Sequence, residues 1–217
     1  SKIKINCDLM CMSGGYTPAV HLFTQSGGKL SFDEEKFYFY PNKTNLDLIS
    51  VGACNGIFNL KKIIQDTNLK VNKFLGTNIE NEVNVSDNKS GGFKNIWLLP
   101  SDKVSGKTKS FVDFQNDSTA NDIKLALREG FKSIEHVKRY TTTGMATDQG
   151  KIANMHALGI ISEITQTKMG EMGTTTFRPP YTPLTFGSLV GRNVKEFFDI
   201  TRKTPIHSWH DKNNAKF

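Results

Sequence analysis

The sequence predicts a mixed α/β chain, with strands concentrated near its start and helices in its second half. An apolar run at Ile3–Met12 is typical of a buried strand in a parallel sheet and ends at a glycine-containing loop. The segment Gly52–Gly56 leads directly into an amphipathic pattern with apolar residues at helical spacing. Ser118–Tyr140 gives the clearest helix prediction, since apolar residues recur three and four positions apart behind good capping residues.

Length and composition limit the classes of protein that the chain represents. Its 217 residues suit one large domain or two small ones, and 37% hydrophobic and 23% charged residues fit a soluble protein. No apolar run approaches the roughly 20 residues that cross a bilayer, and the N-terminus does not resemble a signal peptide. The net charge of +7 comes from lysines and arginines that are scattered among acids. We therefore expect neither a membrane nor nucleic acid among its partners.

Cysteine and histidine usage argues against several kinds of reaction centre. Cys7 and Cys11 lie within the strand-like run, so we expect small buried hydrophobic residues in a reducing, cytoplasmic protein. No cysteine follows Cys54, so the helical half lacks thiolates for an iron–sulfur cluster. The five histidines show no zinc-ligand spacing, and no motif for nucleophilic catalysis occurs. We expect no metal site and no catalytic residue in this chain.

Short strands and polar connectors alternate in the first half. Lys29–Tyr40 alternates and is rich in phenylalanine, which predicts one or two strands. Leu46–Val51 and Trp97–Pro100 are short apolar runs that we interpret as further strands. Asn78–Gly92 is rich in Asn, Ser and Gly without periodicity, which indicates an exposed loop or linker. We place the main domain boundary within residues 76–110.

The second half contains two predicted helices and an irregular end. Asp117, Ser118 or Thr119 is placed to cap the first helix, and Asp148 is placed to cap the second. Their apolar positions are Ile123, Ala126, Leu127, Gly130, Ile134 and Val137, then Ile152, Met155, Leu158, Ile161 and Ile164. After Thr167, two prolines prevent a helix around Arg178. A last short helix is expected to begin near Asn193 and to end before Pro205.

Two glycine-containing segments, Ser13–Pro18 and Val51–Gly56, are candidates for a ligand site. If each follows a parallel strand, both lie at the sheet edge where ligands bind, and the helix that follows offers a positive dipole end. The candidate residues are Gly14, Gly15, Gly52, Ala53 and Gly56. The alternative is that these glycines only make tight turns, and the absence of a G-x-G-x-x-G sequence favours that alternative.

A second candidate site combines the polar turn Tyr140–Lys151 with the loop Gly173–Pro183. Hydroxyls, amides and cations between two helices suit an anion or cofactor contact, and a proline-stiffened loop positions an arginine at low entropic cost. The candidate residues are Lys138, Arg139, Thr142, Lys151, Thr175 and Arg178. The alternatives are an ordinary helical hairpin with a solvated turn, and a threonine-rich segment that packs along a domain surface.

Five long segments resemble the alpha subunit of heterotetrameric sarcosine oxidase: CDLMCMSGGYTPAVHL, VDFQND, EGFKSIEHVKRYTTTGMATDQGK, GTTTFRPPYTP and TPIHSWH. They are spread over nearly all of the chain, so the match is specific. The resemblance implies an internal fragment of a large subunit. Residues 1–76 would end a flavoprotein-like dinucleotide-binding unit, and 77–110 would be a linker with short strands. Residues 111–192 would form a small helical domain, and 193–217 the truncated start of an aminomethyltransferase-like folate domain.

The same resemblance implies chemistry and partners. Such complexes oxidise sarcosine to glycine with oxygen, form hydrogen peroxide and pass the one-carbon unit to tetrahydrofolate. The FAD of the beta subunit oxidises the substrate, FMN lies at the alpha–beta interface, and the alpha subunit also binds NAD. The chain would contribute dinucleotide binding and part of the FMN and beta-subunit interface, with beta, gamma and delta subunits as partners. It would be inactive alone, and tetrahydrofolate would bind the missing C-terminal domain.

Two details of the sequence depart from the pattern of relatives. At Leu48–Gly56, Ala53 follows Gly52 where flavoprotein relatives carry a Gly-Asp pair, which favours NAD over FAD. The helical domain resembles a two-iron two-sulfur (BFD-like) domain of relatives but lacks its cysteines, so we expect no iron–sulfur cluster.

Two other functions stay open at the level of sequence. The alternatives to the sarcosine oxidase interpretation are a non-catalytic subunit-docking module and the matching subunit of a related amine dehydrogenase that acts on dimethylglycine or proline. The residues that bind the amine lie outside this chain, so its sequence does not distinguish the substrates. We also expect the isolated chain to be poorly soluble or oligomeric, because a sheet without its other strands has unpaired edges.

Overall fold

The computed structural model describes residues 3–9, 15–79, 84–86, 95–99, 109–198 and 202–216. Contacts divide the chain into two units, Ser1–Tyr181 and Thr182–Phe217. The first unit contains both strands and helices, and the described part of the second contains only helical turns and connecting segments. Among the described residues, no helix has the length and apolar character needed to span a bilayer.

The first unit begins with a short helix and a hairpin. Helix α1 (His21–Gln25) is followed by the antiparallel strands β1 (Lys29–Asp33) and β2 (Tyr38–Lys43), which confirms the strands predicted here. Phe32 lies opposite Phe39, and their ring centroids are 4.9 Å apart. This cross-strand aromatic pair stabilises the hairpin on one face.

Three other strand predictions are wrong within the described residues. The run Ile3–Met12 forms no strand over Ile3–Leu9, where every side chain is exposed, and its last three residues lie outside the described residues. Leu46–Val51 and Trp97–Leu99 form no strand either, and Pro100 is not described. Both described sheets are two-stranded and antiparallel. A strand needs a neighbouring strand to satisfy its backbone N–H and C=O groups. None of the described strands pairs with these apolar runs.

Helix α2 (Leu60–Leu75) confirms the amphipathic helix predicted after Gly52–Gly56. Within that preceding segment, Gly52–Asn55 form a 3₁₀ turn. The Asn59 side chain caps α2 by accepting a hydrogen bond from the Lys62 backbone N–H at 3.0 Å. Gly76 ends the helix with a φ of 66°. Every residue of α2 is described, and none is fully buried. Its contacts within this chain are therefore partial.

A second hairpin opens the helical part of the first unit. Strands β3 (Phe111–Asp113) and β4 (Ser118–Thr119) pair antiparallel. The single helix predicted for Ser118–Tyr140 is wrong, because two helices occupy this range: α3 (Ala120–Arg128) and α4 (Ile134–Thr141).

Local chemistry explains where α3 starts and where it ends. Thr119 Oγ1 accepts a hydrogen bond from the Asp122 backbone N–H, while Asp122 Oδ2 accepts one from the Thr119 N–H at 2.7 Å. This capping box confirms Thr119 among the three predicted caps. Gly130 has a φ of 97°, which glycine adopts without steric cost and which no helix contains, so the chain turns there.

The hydrophobic core lies between α3, α4 and helix α5 (Ala153–Thr165). Its most buried side chains confirm much of the predicted apolar faces; they are Ile123, Ala126, Val137, Leu158 and Ile161. Ile152 and Ile164 were expected on this face, but they are 71% and 44% exposed. Both residues lie at the ends of α5, where a helix extends beyond the core that it packs against. Asp148 does not cap α5; its side chain accepts a hydrogen bond from the Gly150 N–H within the preceding turn.

Short helices complete the described chain. Helix α6 (Met169–Met172) ends the first unit's helical part and leads into an irregular loop, as the prolines predict. In the second unit, α7 (Phe186–Val190) and α8 (His207–Lys212) were not predicted. A 3₁₀ helix at Arg192–Phe197 begins where the last short helix was predicted but covers only the first part of the predicted range, and residues 202–204 are not helical.

Candidate functional site

Two neighbouring segments of the first unit carry most of the second predicted site. They are residues 142–152, here called the 142–152 turn, and residues 173–181, called the 173–181 loop. The turn connects α4 to α5, and the loop follows α6. Side chains of the turn hydrogen-bond to backbone atoms of the loop, so the structure brings together the two segments that the sequence pairs.

Buried polar groups fix the conformation of the 142–152 turn. The carboxylate of Asp113, at the end of β3, accepts a hydrogen bond from the Gly144 N–H at 2.7 Å. The Asn154 side chain fills the inside of the turn, and a Cβ atom on Gly150 would lie 2.0 Å from its Oδ1. Gly150 also has a φ of 73°, so both conformation and space require glycine there. Polar contacts thus hold the turn from its inner side, while Thr142, Met145 and Thr147 on its outer side are exposed.

Gln149 joins the turn to the loop through three hydrogen bonds. Its Oε1 accepts from the Arg178 backbone N–H at 2.8 Å. Its Nε2 donates to the carbonyl of Arg178 at 2.7 Å and to that of Pro180 at 3.0 Å. The loop backbone around the arginine is therefore held by one side chain of the turn.

Lys151 contacts the aromatic end of the loop and not an open surface. Its Nζ donates to the Tyr181 carbonyl at 3.1 Å and lies 4.0 Å from the centre of the Tyr181 ring. The imidazole of His21 stacks on the same ring with centroids 3.4 Å apart, and Phe177 meets the edge of this pair. Burial, and secondly the charge of Lys151, lower the pKa of His21. Burial, and secondly the charge of Asp148, raise the pKa of Tyr181.

Helix α4 holds the start of the loop. Glu135 Oε1 accepts a hydrogen bond from the Thr176 backbone N–H at 3.0 Å, and Glu135 Oε2 pairs with the Arg139 guanidinium at 3.4 Å. Of the four predicted cations, Arg139 is therefore engaged by a carboxylate. Lys138 forms no ion pair among the described residues, and Thr142 ends α4 with a φ of 59° while its side chain stays exposed.

Two groups of the loop remain without partners in the described part of the chain. The Arg178 side chain is exposed, and its guanidinium forms no hydrogen bond or ion pair there. Thr175 is buried, yet its Oγ1 has no hydrogen-bond partner. The other buried side-chain atoms in this condition are His21 Nδ1, Gln25 Nε2 and Asn95 Nδ2. Such atoms are rare in folded proteins.

The two glycines of the first predicted site that precede α2 pack against protein atoms. A Cβ on Gly52 would lie 3.1 Å from Ile63 Cγ2, and one on Gly56 would lie 2.9 Å from the Tyr38 hydroxyl. Gly52 has a φ of 63° and Gly56 a φ of 78°. Tyr38 also donates a hydrogen bond to the Gly56 carbonyl at 2.7 Å. Turn conformation and packing thus account for both glycines, as the tight-turn alternative expects.

The remaining residues of that site are less constrained. Gly15 has a φ of 85° and is exposed, and Ala53 is exposed within the 3₁₀ turn. Gly14 lies outside the described residues. Neither Gly15 nor Gly52 follows a strand in the described part of the chain, so the parallel-sheet edge expected to bring the two segments together is not formed by the described residues.

Metal-binding side chains do not cluster in the described part of the chain. No group of three or more His, Cys, Asp or Glu side chains there is arranged to hold an ion. Cys7, expected to be buried, is exposed because the segment around it forms no strand, and Cys11 is outside the described residues.

The sequence pointed to the turn and the loop but missed the residues that join them. Gln149, Glu135 and His21 were not among the candidates, although each contacts the loop. No local pattern reveals these roles, because each contact joins residues more than 25 positions apart. Asp113 had one signal: an Asp between a strand and a polar turn is typical of an Asx turn.

A comparison with protein families matches most of the second half of the chain. Residues 107–192 match the family model described as the sarcosine oxidase A3 domain, and this range contains both the turn and the loop. The chain as a whole is homologous to sarcosine oxidase alpha subunits, which confirms the resemblance seen in the sequence.

Two relatives illustrate the extent of the match. The sarcosine oxidase subunit alpha of Rhizobium meliloti (strain 1021) is 37% identical over 98% of this chain, which covers 22% of that subunit. The corresponding subunit of Corynebacterium sp. (strain P-1) is 36% identical over 99% of this chain, which covers 23% of it. The chain thus spans about a fifth of the length of these relatives.

A solved structure shows the same fold. The L-proline dehydrogenase from P. horikoshii superposes with a TM-score of 0.56 at 18% identity. The match covers 82% of this chain and 38% of that one. At this identity the likeness concerns the fold alone.

Proposed function

We propose that the chain is part of the alpha subunit of a cytoplasmic sarcosine oxidase complex with beta, gamma and delta subunits. That complex oxidises sarcosine to glycine, transfers the one-carbon unit to tetrahydrofolate and forms hydrogen peroxide. Within it, this chain lines the FMN at the interface with the beta subunit and contributes to NAD binding. It supplies no catalytic residue and no iron–sulfur ligand, and it is inactive alone. The homology to sarcosine oxidase alpha subunits supports this assignment.

One observation carries the flavin part of the proposal. The 173–181 loop carries an exposed arginine guanidinium and a buried threonine hydroxyl, neither of which has a partner among the described residues, on a backbone that Gln149 holds in place. A guanidinium is suited to bidentate contact with phosphate oxygens, and a hydroxyl donates to them. Arg178 therefore fits the phosphate of FMN, and Thr175, whose hydroxyl is buried, would support the loop from its inner side. The bound flavin would supply the electron-accepting ring.

The other predicted contacts take supporting roles in this proposal. Lys138 adds a cation on α4 that has no ion pair within the described segments, and Thr142 adds an exposed hydroxyl at the end of that helix. The Arg139 ion pair with Glu135 and the Lys151 contact with Tyr181 shape the surface that meets the beta subunit. These residues raise the positive potential near the loop without each binding the phosphate.

The NAD part of the proposal rests on Gly15 and Ala53. Both are exposed, whereas Gly52 and Gly56 are already explained by packing against Ile63 and Tyr38. Calorimetric titration of the assembled complex with NAD tests this part separately. A Gly15→Val or Ala53→Asp change should weaken NAD binding and leave the flavin content unchanged. If both variants bind NAD as tightly as the wild-type complex does, this chain has no role in dinucleotide binding.

The flavin proposal is tested by FMN affinity in the complex assembled with its partner subunits. Arg178→Ala should weaken FMN binding by about 10- to 100-fold, because a charge-assisted hydrogen bond contributes about 1.5–3 kcal/mol. Arg128→Ala is the matched control, since Arg128 is exposed on α3 beside Glu129. Unchanged FMN retention in Arg178→Ala, with Thr175→Val equally silent, would contradict the proposed role.

A second function, subunit docking without cofactor, is favoured by α2. This helix exposes apolar side chains, among them Leu69 at 71% and Phe74 at 59%. A docking module predicts a stable complex on gel filtration with no change in flavin spectrum on mixing. Assays of the complex with sarcosine, dimethylglycine and proline distinguish the remaining alternative, a related amine dehydrogenase.

A further inference from the structure

The side chain of Gln149 hydrogen-bonds to the backbone of the 173–181 loop in the way that a neighbouring strand would. It both accepts from the N–H of Arg178 and donates to the carbonyl of the same residue, at 2.8 and 2.7 Å. A paired exchange of this kind is the unit that fixes one residue in an antiparallel ladder. Its second amide hydrogen reaches the Pro180 carbonyl at 3.0 Å.

The glutamine is itself held in one orientation. Its φ is 49°, in the left-handed region that few non-glycine residues adopt. Its backbone N–H donates to the Ala146 carbonyl at 2.9 Å, and its carbonyl accepts from Asn154 Nδ2 at 3.0 Å. Asn154 belongs to α5, so the position of Gln149 is tied to a helix of the hydrophobic core.

The chemistry of the loop explains why an amide is needed. Pro179 and Pro180 have no N–H, so residues 178–180 offer three carbonyls and a single N–H, and Gln149 bonds to two of those carbonyls and to that N–H. A primary amide provides two donor hydrogens and an acceptor oxygen. A carboxylate would face two carbonyl oxygens, and an ammonium would leave the Arg178 N–H without an acceptor.

We propose that Gln149 is a positioning residue for Arg178, which fixes the arginine backbone so that the guanidinium meets an anion in one orientation. The inference rests on the proposed function, in which that anion is the phosphate of FMN. Gln149 itself does not touch the ligand. It acts by removing the freedom of the loop before binding, and pre-ordering of this kind raises affinity without adding a contact.

The first experiment measures the hydrogen-bonded state of the loop directly in the assembled complex without flavin. Amide hydrogen exchange at Arg178 should accelerate about tenfold or more in Gln149→Lys and Gln149→Ala, because both changes remove the oxygen that accepts from this N–H. The Thr176 amide, which is held by Glu135, serves as the internal reference. Gln166→Lys is the matched control, because Gln166 also has a left-handed φ, of 55°, at the end of α5. Unchanged exchange at Arg178 would overturn the inference.

The second experiment is a double-mutant cycle on FMN affinity. Gln149→Glu should weaken FMN binding about tenfold in the wild-type background and have no further effect in Arg178→Ala. An equal loss in both backgrounds would show a general structural effect and overturn only the inference. Unchanged affinity in Arg178→Ala would overturn the proposed function as well. Thermal midpoints of all variants show whether any loss reflects unfolding.

Discussion

The two hairpins of the first unit contain the same type of turn, but the two turns have different surroundings. β1 ends at Asp33 and β3 at Asp113, and each carboxylate accepts backbone N–H groups two and three residues later. Each turn closes with a residue of positive φ, 54° at Phe37 and 53° at Asp117. The local chemistry is the same Asx-type turn.

The difference lies in the surroundings of the two carboxylates. Asp33 is partly exposed and pairs with Lys36 at 3.3 Å, in the manner of a surface ion pair. Asp113 is buried and also accepts the Gly144 N–H from the 142–152 turn. One turn only closes its hairpin, while the other also fixes the 142–152 turn, which holds the 173–181 loop. A local motif thus becomes part of a site through tertiary contact alone.

The sharpest test of this contrast removes each carboxylate. Asp113→Ala should lower the free energy of unfolding by about 3 kcal/mol, because three accepted hydrogen bonds are lost and a buried donor is left unpaired. Asp33→Ala should cost about 1 kcal/mol or less, because water replaces the lost acceptor. Urea denaturation of both variants measures the difference. Equal losses would show that burial of Asp113 adds nothing to the shared turn.

Two glycines with positive φ, one in open space and one in the 142–152 turn, test the same contrast between a local and a packed environment. Gly76, after α2, has a φ of 66° with open space around it, whereas Gly150 has a φ of 73° and Asn154 beside it. Gly76→Ala should cost about 1–2 kcal/mol from backbone strain alone. Gly150→Ala should cost clearly more, because it also displaces the side chain that fills the turn. The two thermal midpoints check this order, and a smaller effect at Gly150 would contradict the packing of Asn154 inside the turn.

These contrasts show how far the sequence reaches. The Thr119 cap, the apolar face at Ile123 and Leu158, and the helix after Gly56 follow from spacing and capping chemistry, and the structure confirms them. The strand predicted at Ile3–Met12 does not form over Ile3–Leu9, the part that the structure describes, because an apolar run does not specify a partner for its backbone.

In the candidate site, too, some features can be predicted from the sequence and others cannot. The prolines and hydroxyls of the loop are visible in the sequence, so the loop itself could be chosen. The bond from Gln149 to Arg178 depends on a left-handed glutamine 29 residues away, and no residue pattern encodes that conformation. Likewise, nothing local distinguishes Lys151, which is held by Tyr181, from Arg178, whose guanidinium has no partner in the described part of the chain.

The two lysine–tyrosine contacts give a smaller and more specific test. Lys151 lies 4.0 Å from the Tyr181 ring centre, and Lys36 lies 5.7 Å from that of Tyr38. Lys151→Met should lower stability by about 1 kcal/mol through loss of a cation–π contact, and Lys36→Met should lower it less. FMN affinity should fall less in Lys151→Met than in Arg178→Ala. The reverse order would transfer the phosphate contact from the arginine to the lysine.

The smallest expected effect is a pH dependence at the contact between α1 and the loop. Burial and the Lys151 charge lower the pKa of His21 below its ordinary value of 6.5, so the unfolded chain takes up a proton before the folded chain does. Stability should therefore fall as the pH drops below about 6.5 and level off below the folded-state pKa. His21→Phe keeps a ring against Tyr181 and removes the titration, so its thermal midpoint should change less between pH 7.5 and pH 5.5. His136→Phe, at an exposed position on α4, is the matched substitution against which the effect is compared. If His21→Phe loses as much stability at low pH as the wild type, the stacked imidazole is not what makes this contact sensitive to acid.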